Sequence, residues 1–314
     1  MKHFNNSYHK YLSELSIINS QAKYDSENFI KTIEKSYKKD IYDLCMEIKS
    51  MGESSKIVML AGPSGSGKTT TAHMICKCLI ENGRKAKIIS MDDFFLGDDN
   101  APLLPDGTRD YENVLALNLP ELNECLLDII NKGYCDKPVF DFVNKRPKSE
   151  KVRVELDDNE IIIVEGIHAL NPVITGNLPK RNIINMYISV KQGINNNDEV
   201  LLSANDIRFI RRLIRDHNFR GSGPMETLQM WENVRIGEEK YIKPFKKESD
   251  ITINSIHIYE PCVLKKEAIE LLKTVKSDSS FYDFSFEIIN KLKKFEYIDS
   301  ELVPKDSLLR EFIG

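Results

Sequence analysis

No apolar run in the chain approaches the roughly 20 residues that a membrane-spanning helix needs. The opening stretch, MKHFNNSYHKYLSEL, has no apolar core followed by small residues, which argues against a secretory leader. Basic residues are in slight deficit, 44 Lys and Arg against 48 Asp and Glu, so general nucleic-acid binding is not expected. The 6 cysteines, at 45, 76, 78, 125, 135 and 262, form no C-x-x-C pair. Such spacing excludes a zinc-ribbon pattern and predicts reduced, mostly buried thiols rather than a disulfide framework. Among the 6 histidines, His73, His168 and His217 show no metal spacing and are read as structural. The lone tryptophan, Trp231, is read as core or lid packing. Internal repeats and low-complexity segments are also lacking. A cytoplasmic protein with one sizeable core and appendages is expected.

Residues 1–55 form a polar, helix-prone segment with Phe29, Ile33, Ile41, Leu44 and Ile48 at helical spacing, which predicts a pair of packed helices. From residue 56 the texture changes. KIVML reads as a buried strand, GRKAKIISM as a second, EIIIVEG as a third, NIINMYISV as a fourth and DITINS as a short fifth. Helices are expected up to about residue 82 and near 119–132. KPVFDFV and EKVRVEL, separated by NKRPKS, predict a β-hairpin. Short apolar strands alternating with helices point to an α/β fold with a parallel sheet covered on both faces. The main domain is placed at 56–260 with a lid at about 205–225, and a helical extension packed on the outside is expected at 261–314.

The most specific signal is GPSGSGKT, which fits G-x-x-x-x-G-K-[ST]. Gly62, Gly65 and Gly67 allow backbone N–H groups to converge on a phosphate, and the following helix adds its positive dipole end. ATP is therefore expected to contact Gly62, Ser64, Gly65, Ser66, Gly67, Lys68, Thr69 and Thr70. Lys68 would reach the β- and γ-phosphates, and the Thr69 hydroxyl would ligate Mg²⁺.

A P-loop alone does not decide the fate of the phosphate. No N-K-x-D follows a strand, which argues against a guanine-reading switch, and the third strand ends in the single acid Glu165 rather than Asp-Glu. Asp92 closes the second strand, where carboxyl ends of parallel strands face a ligand crevice and where a carboxylate can take an acceptor's proton. Asp93 closes the strand beside it; the alternative for both acids is that they cap the loop at DFFL, and it weighs more for Asp93 than for Asp92. Glu165 stands next to the loop, placed to hold Mg²⁺. Along DIRFIRRLIRDHNFRG, Arg208, Arg212 and Arg215 share one helix face, and guanidinium forks suit a transferring phosphoryl group. Asp110 lies in the loop after the second strand, where an acid can accept from sugar hydroxyls. A small-molecule kinase fits these features; a nucleotide-binding regulatory protein without an acceptor is the alternative from another class.

AGPSGSGKTT, SMDDFF, FDFVNKRPKSEKV, IIIVEGIHAL and RFIRRLIRDHNFRG occur in the order and spacing of the uridine kinase/phosphoribulokinase family, and the chain most resembles its bacterial uridine-kinase-like branch. The later VRIGEEKYIKPF and an ending like LLREFIG are similar too. The resemblance implies a nucleoside-monophosphate-kinase-like, five-stranded parallel sheet with a β-hairpin and a helical lid. It implies that Asp92, Lys68, Arg212, Arg215 and Arg220 act on the transferring phosphoryl group. Mg²⁺ would lie at Thr69 and Glu165, and the acceptor at Asp92, Phe95, Asp110, Phe140 and Lys145. The sequence also departs from the family. Phe140 replaces the tyrosine of a Tyr-Asp-Phe run, Asn144-Lys145 stands where a base-reading histidine is usual, Phe95 replaces a tyrosine, and Ser222 replaces an arginine. The expected partner is a nucleoside or sugar acceptor, with no nucleic acid and no membrane; homo-oligomerisation is left open.

Overall fold

In the computed structural model, residues 2–4, 13–52, 56–98, 100–105, 107–141, 144–157 and 159–314 are described. In chain order the elements are strand β1 (Lys2–Phe4), helices α1 (Leu15–Tyr24) and α2 (Ser26–Ser50), β2 (Ile57–Ala61), α3 (Lys68–Glu81), β3 (Ala86–Ser90), α4 (Leu119–Lys132) and the hairpin β4 (Tyr134–Asp141) and β5 (Arg146–Glu155). They continue with β6 (Ile161–Glu165), the short α5 (Pro172–Thr175), β7 (Ile183–Ser189), a small hairpin β8 (Ile194–Asn196) and β9 (Glu199–Leu202), and helices α6 (Ala204–Arg220) and α7 (Pro224–Tyr241). The last are β10 (Ile251–Asn254), α8 (Glu260–Leu272), α9 (Tyr282–Lys293) and α10 (Arg310–Ile313).

The five expected strands pair in parallel, and the sheet order is β1-β10-β7-β2-β6-β3. Strands β2 and β6 are buried at every residue, so side chains of both parities enter apolar cores. Val58 and Leu60 join Ile161, Ile163 and Met186 in one core, while Ile57, Met59 and Ala61 join Ile162, Val164 and the inner face of α4 in the other. A sixth strand was not expected. Residues 2–4 pair with β10, Lys2 opposite Ile251, because the exposed edge of β10 offers a ladder that almost any extended segment can complete.

Local sequence explains the helix limits. Asn118 caps α4 by accepting from Glu121 N–H, and Gly133 ends it in the left-handed conformation. Ser203 and Asp206 form a reciprocal capping box that starts α6. The turn at Gly133 folds β4 back along α4 and brings Cys125 and Cys135 together as a disulfide, which corrects the expectation of reduced thiols throughout. The remaining cysteines are free, with Cys45 and Cys262 buried. The break expected after Gly52 falls on residues 53–55, and Phe142 of the hairpin motif also lies outside the described residues.

The outer segments do not simply coat the surface. Ile33, Tyr37 and Leu44 of α2 and Leu308, Leu309 and Phe312 near α10 share one core with the sheet. Burial of these last side chains draws the tail inward to the glycine loop, contrary to the expectation that it packs outside. Among the described residues no helix is long and apolar enough to cross a membrane.

Candidate functional site

The glycine loop joins β2, central in the sheet, to α3, so the helix N-terminus opens at the carboxyl edge of the strands. Two glycines there are conformationally required. Gly65 has φ +73 and a side chain on it would come within 2.7 Å of Arg208 O; Gly67 has φ +81 and abuts Leu308. A cavity forms against this loop. It is lined by Ser64, Gly65, Lys68, Thr69, Asp92, Phe95, Phe140, Lys145, Glu165, Arg212, Arg215 and Arg220, all candidates from the sequence, and by Tyr111, Glu112, Ser222 and Glu311 besides. Gly62, Ser66, Gly67, Thr70 and Asp110 do not line it. Gly62 packs on Ile188, Ser66 is buried within the loop, and the Thr70 amide donates to Glu311.

Asp92 and Asp93 sit in one tight turn, Met91–Phe94, and separate there. Asp92 faces the cavity, whereas Asp93 pairs with Lys137 and accepts from Phe140 N–H at 3.3 Å, fixing the hairpin. That tie places Phe140 5.8 Å from Phe95, which in turn meets Tyr111 at 6.3 Å, and all three rings line the cavity. Asp110 was expected here and is not. Its carboxylate lies 3.5 Å from the Tyr241 hydroxyl in a separate cleft, because the turn carries residue 112 inward instead. Gly237 of α7 makes this possible, since any side chain there would come within 2.3 Å of the Glu112 Cβ. Glu112 Oε2 is buried without a hydrogen-bond partner among the described residues. Burial pushes the Glu112 carboxyl up to about 7.

The arginine run divides by helical phase. Arg212 donates to Ser64 Oγ at 2.8 Å and pairs with Asp216, while Arg215 pairs with the same carboxylate at 2.6 Å. Burial would raise Asp216, but Arg215, Arg212 and Arg220 outweigh it and hold the acid below its ordinary range. Arg208 holds Ser64 O and Glu238. Arg211, fully buried, turns to Glu260 and Gly65 O. Trp231 packs on Phe209, as a core residue would. His168 is buried against Tyr241, and burial pulls its imidazole down to about 4, so it stays neutral near pH 7.

Lys68 and Glu165 form the charged floor. Burial lowers the Lys68 ammonium, although Glu165 and Asp92 act against the fall. Glu165 Oε1 lies 3.4 Å from Thr69 Oγ1 and accepts from Ser90 Oγ at 2.7 Å. This all-oxygen set beside the loop fits a hard cation such as Mg²⁺. Among the described residues no three His, Cys, Asp or Glu groups converge to cage a metal, so such an ion would rely on nucleotide phosphates for further ligands.

Burial, then the charge of Asp92, pushes Glu165 from its ordinary 4.5 to about 7. The folded value lies above the unfolded one, so this acid's stabilising contribution is present below about pH 4.5 and is lost as pH rises through about 7. Between pH 5.5 and 8 and without divalent cations, the wild-type melting temperature is expected to fall more than that of Glu165→Gln. Parallel melting curves for the two proteins would contradict the perturbed acid.

Residues 57–260 match the model of the Phosphoribulokinase / Uridine kinase family. The chain is 31% identical over 206 residues to the uridine kinase of Lactobacillus helveticus (strain DPC 4571), covering 65% of this chain and 89% of that one. It is 30% identical over 198 residues to the uridine kinase of Lactobacillus johnsonii, covering 63% and 85%. The solved structure of a possible uridine kinase from Bacillus stearothermophilus aligns with a TM-score of 0.46 and 19% identity, over 68% of this chain and 98% of that one. A matched segment that runs from the first buried strand to the start of α8, with the glycine loop and arginine helix inside it, means that the chain belongs to the phosphoribulokinase/uridine kinase family and is an ATP-dependent kinase.

Proposed function

We propose that this kinase transfers the terminal phosphoryl group of ATP to the 5′-hydroxyl of uridine or cytidine. The observation that carries the reading is one cavity whose wall holds two chemically distinct sets, Lys68, Thr69 and the arginines on the one hand and the contacting rings Phe95, Tyr111 and Phe140 on the other, with Asp92 in the same wall. An aromatic set suits a planar base, and a carboxylate in the same wall suits an acceptor hydroxyl. Asp92 orients that hydroxyl and takes its proton. Glu112 replaces Asp110 in the expected ribose role, because its unpartnered oxygen calls for a hydroxyl donor. Lys68, Arg212, Arg215 and Arg220 balance the charge of the transferring group and exclude water from it. Thr69 and Glu165 would hold Mg²⁺, which supplies charge neutralisation at the phosphates when bound.

A second acceptor class is favoured by one specific feature. Lys145, with φ +50, lines the cavity where a base-reading side chain is expected, and an ammonium there suits an anionic sugar phosphate. The test is acceptor-dependent ADP release from ATP and Mg²⁺ across nucleosides, pentoses and sugar phosphates. Uridine or cytidine stimulation, with formation of the matching monophosphate, is the expected result. Stimulation by sugar phosphates alone would reassign the aromatic set of the cavity. No stimulation by any acceptor would refute the proposed reaction.

A further inference from the structure

The segment after α9 ends on the phosphate loop, and its placement is built in. Leu308 Cδ1 occupies the space a side chain on Gly67 would need, at 2.6 Å from where that Cβ would stand. Leu308, Leu309 and Phe312 are fully buried, and the Arg211 guanidinium lies 5.2 Å from the Phe312 ring centre. Ser307 and Tyr259 both donate to Glu34 Oε1 at 2.5 Å, tying the segment to α2. On this fixed base Glu311 reaches the cavity, and its Oε2 accepts the Thr70 N–H at 3.2 Å.

Thr70 lies in the first turn of α3, whose amides have no partner within the helix. These amides are the donors that a nucleotide phosphate uses at such a helix start. A carboxylate and a phosphate oxygen therefore seek the same N–H, and two anions cannot share one donor beside Lys68 without repulsion.

We propose that Glu311 is a tethered competitor for the nucleotide's phosphates: its carboxylate holds the Thr70 amide, and ATP binds only when that side chain turns aside. The proposal rests on the ATP-dependent kinase reading above and adds a device that sets nucleotide affinity. Because the neighbouring apolar side chains are buried, the movement is confined to Glu311 and the backbone of the segment stays seated. The competition is electrostatic, so it acts on phosphates and not on the nucleoside part.

The test is equilibrium binding of ATP with Mg²⁺, and separately of adenosine, to the full chain and to Glu311→Gln, with melting temperatures recorded for both. Glutamine keeps the size and removes the charge. ATP is expected to bind the variant roughly three- to tenfold more tightly, with adenosine affinity unchanged. Unchanged or weaker ATP binding in the variant overturns the proposal, and so does equal tightening for ATP and adenosine, which would mark a general rearrangement. If neither protein binds ATP, the kinase reading falls and takes the competitor with it. Should Glu311→Gln lose its cooperative melt, Glu311→Ala is read by the same criteria.

Discussion

Asp92→Asn is expected to lower turnover with the acceptor by about 10²–10⁴-fold while ATP affinity changes by less than about twofold. Asparagine matches the shape of the carboxylate and can still accept a hydrogen bond, so the acceptor remains oriented, but it cannot take the hydroxyl proton. The nucleotide side is spared for a geometric reason. Asp92 lies in the turn after β3, whereas the groups proposed to hold the phosphates come from the loop before α3 and from α6. A second consequence follows from the charge of Asp92 alone. Asp92 helps push Glu165 up to about 7, so removing it should bring the Glu165 titration down and move the acid limb of any residual pH–rate profile toward lower pH. Steady-state kinetics with direct ATP binding checks both parts. Retention of wild-type turnover in Asp92→Asn would falsify its assignment as the base.

How far such roles are legible in sequence depends on whether a residue's direction is set locally. The glycine loop is fixed by its own backbone, with Gly65 and Gly67 both at positive φ, so its position after β2 was readable from GPSGSGKT. The arginines of α6 follow a helical period; of Arg208, Arg212 and Arg215, expected on one face, the first two contact Ser64 while Arg215 turns to Asp216. The loop that carries Asp110 and Glu112 has no period. Which acid faces the cavity is decided by the approach of Gly237, far along the chain, and no spacing rule between 110 and 112 could reveal it. Strand β1 and the seat of Leu308 are non-local in the same sense. Leu308, Leu309 and Phe312 announce burial by their composition but not against what. The Cys125–Cys135 pair had a local signal in the helix-ending Gly133 between them, which forces the chain back on itself.

Glu260→Leu is expected to destabilise the fold by about 3–5 kcal/mol, lowering the melting temperature by on the order of 10 °C, because it leaves the Arg211 guanidinium buried and unpaired. Arg211 has no exposed surface and meets both oxygens of Glu260, Nε to Oε2 at 2.5 Å and Nη2 to Oε1 at 2.8 Å. The same guanidinium donates to Ser255 O at 2.8 Å and to Gly65 O at 3.2 Å, so it ties the end of β10 to the phosphate loop. Stability and positioning can therefore be separated. In Arg211→Met/Glu260→Leu no charge is stranded, and most of the lost stability is expected to return, as apolar replacement of a buried pair commonly allows. The tether to Gly65 does not return, so the double variant should melt near the wild type yet bind ATP more weakly. Equal recovery of melting temperature and ATP affinity would mean that the loop holds its shape through Arg208 and Arg212 alone, and that Arg211 serves only to join α6 to α8.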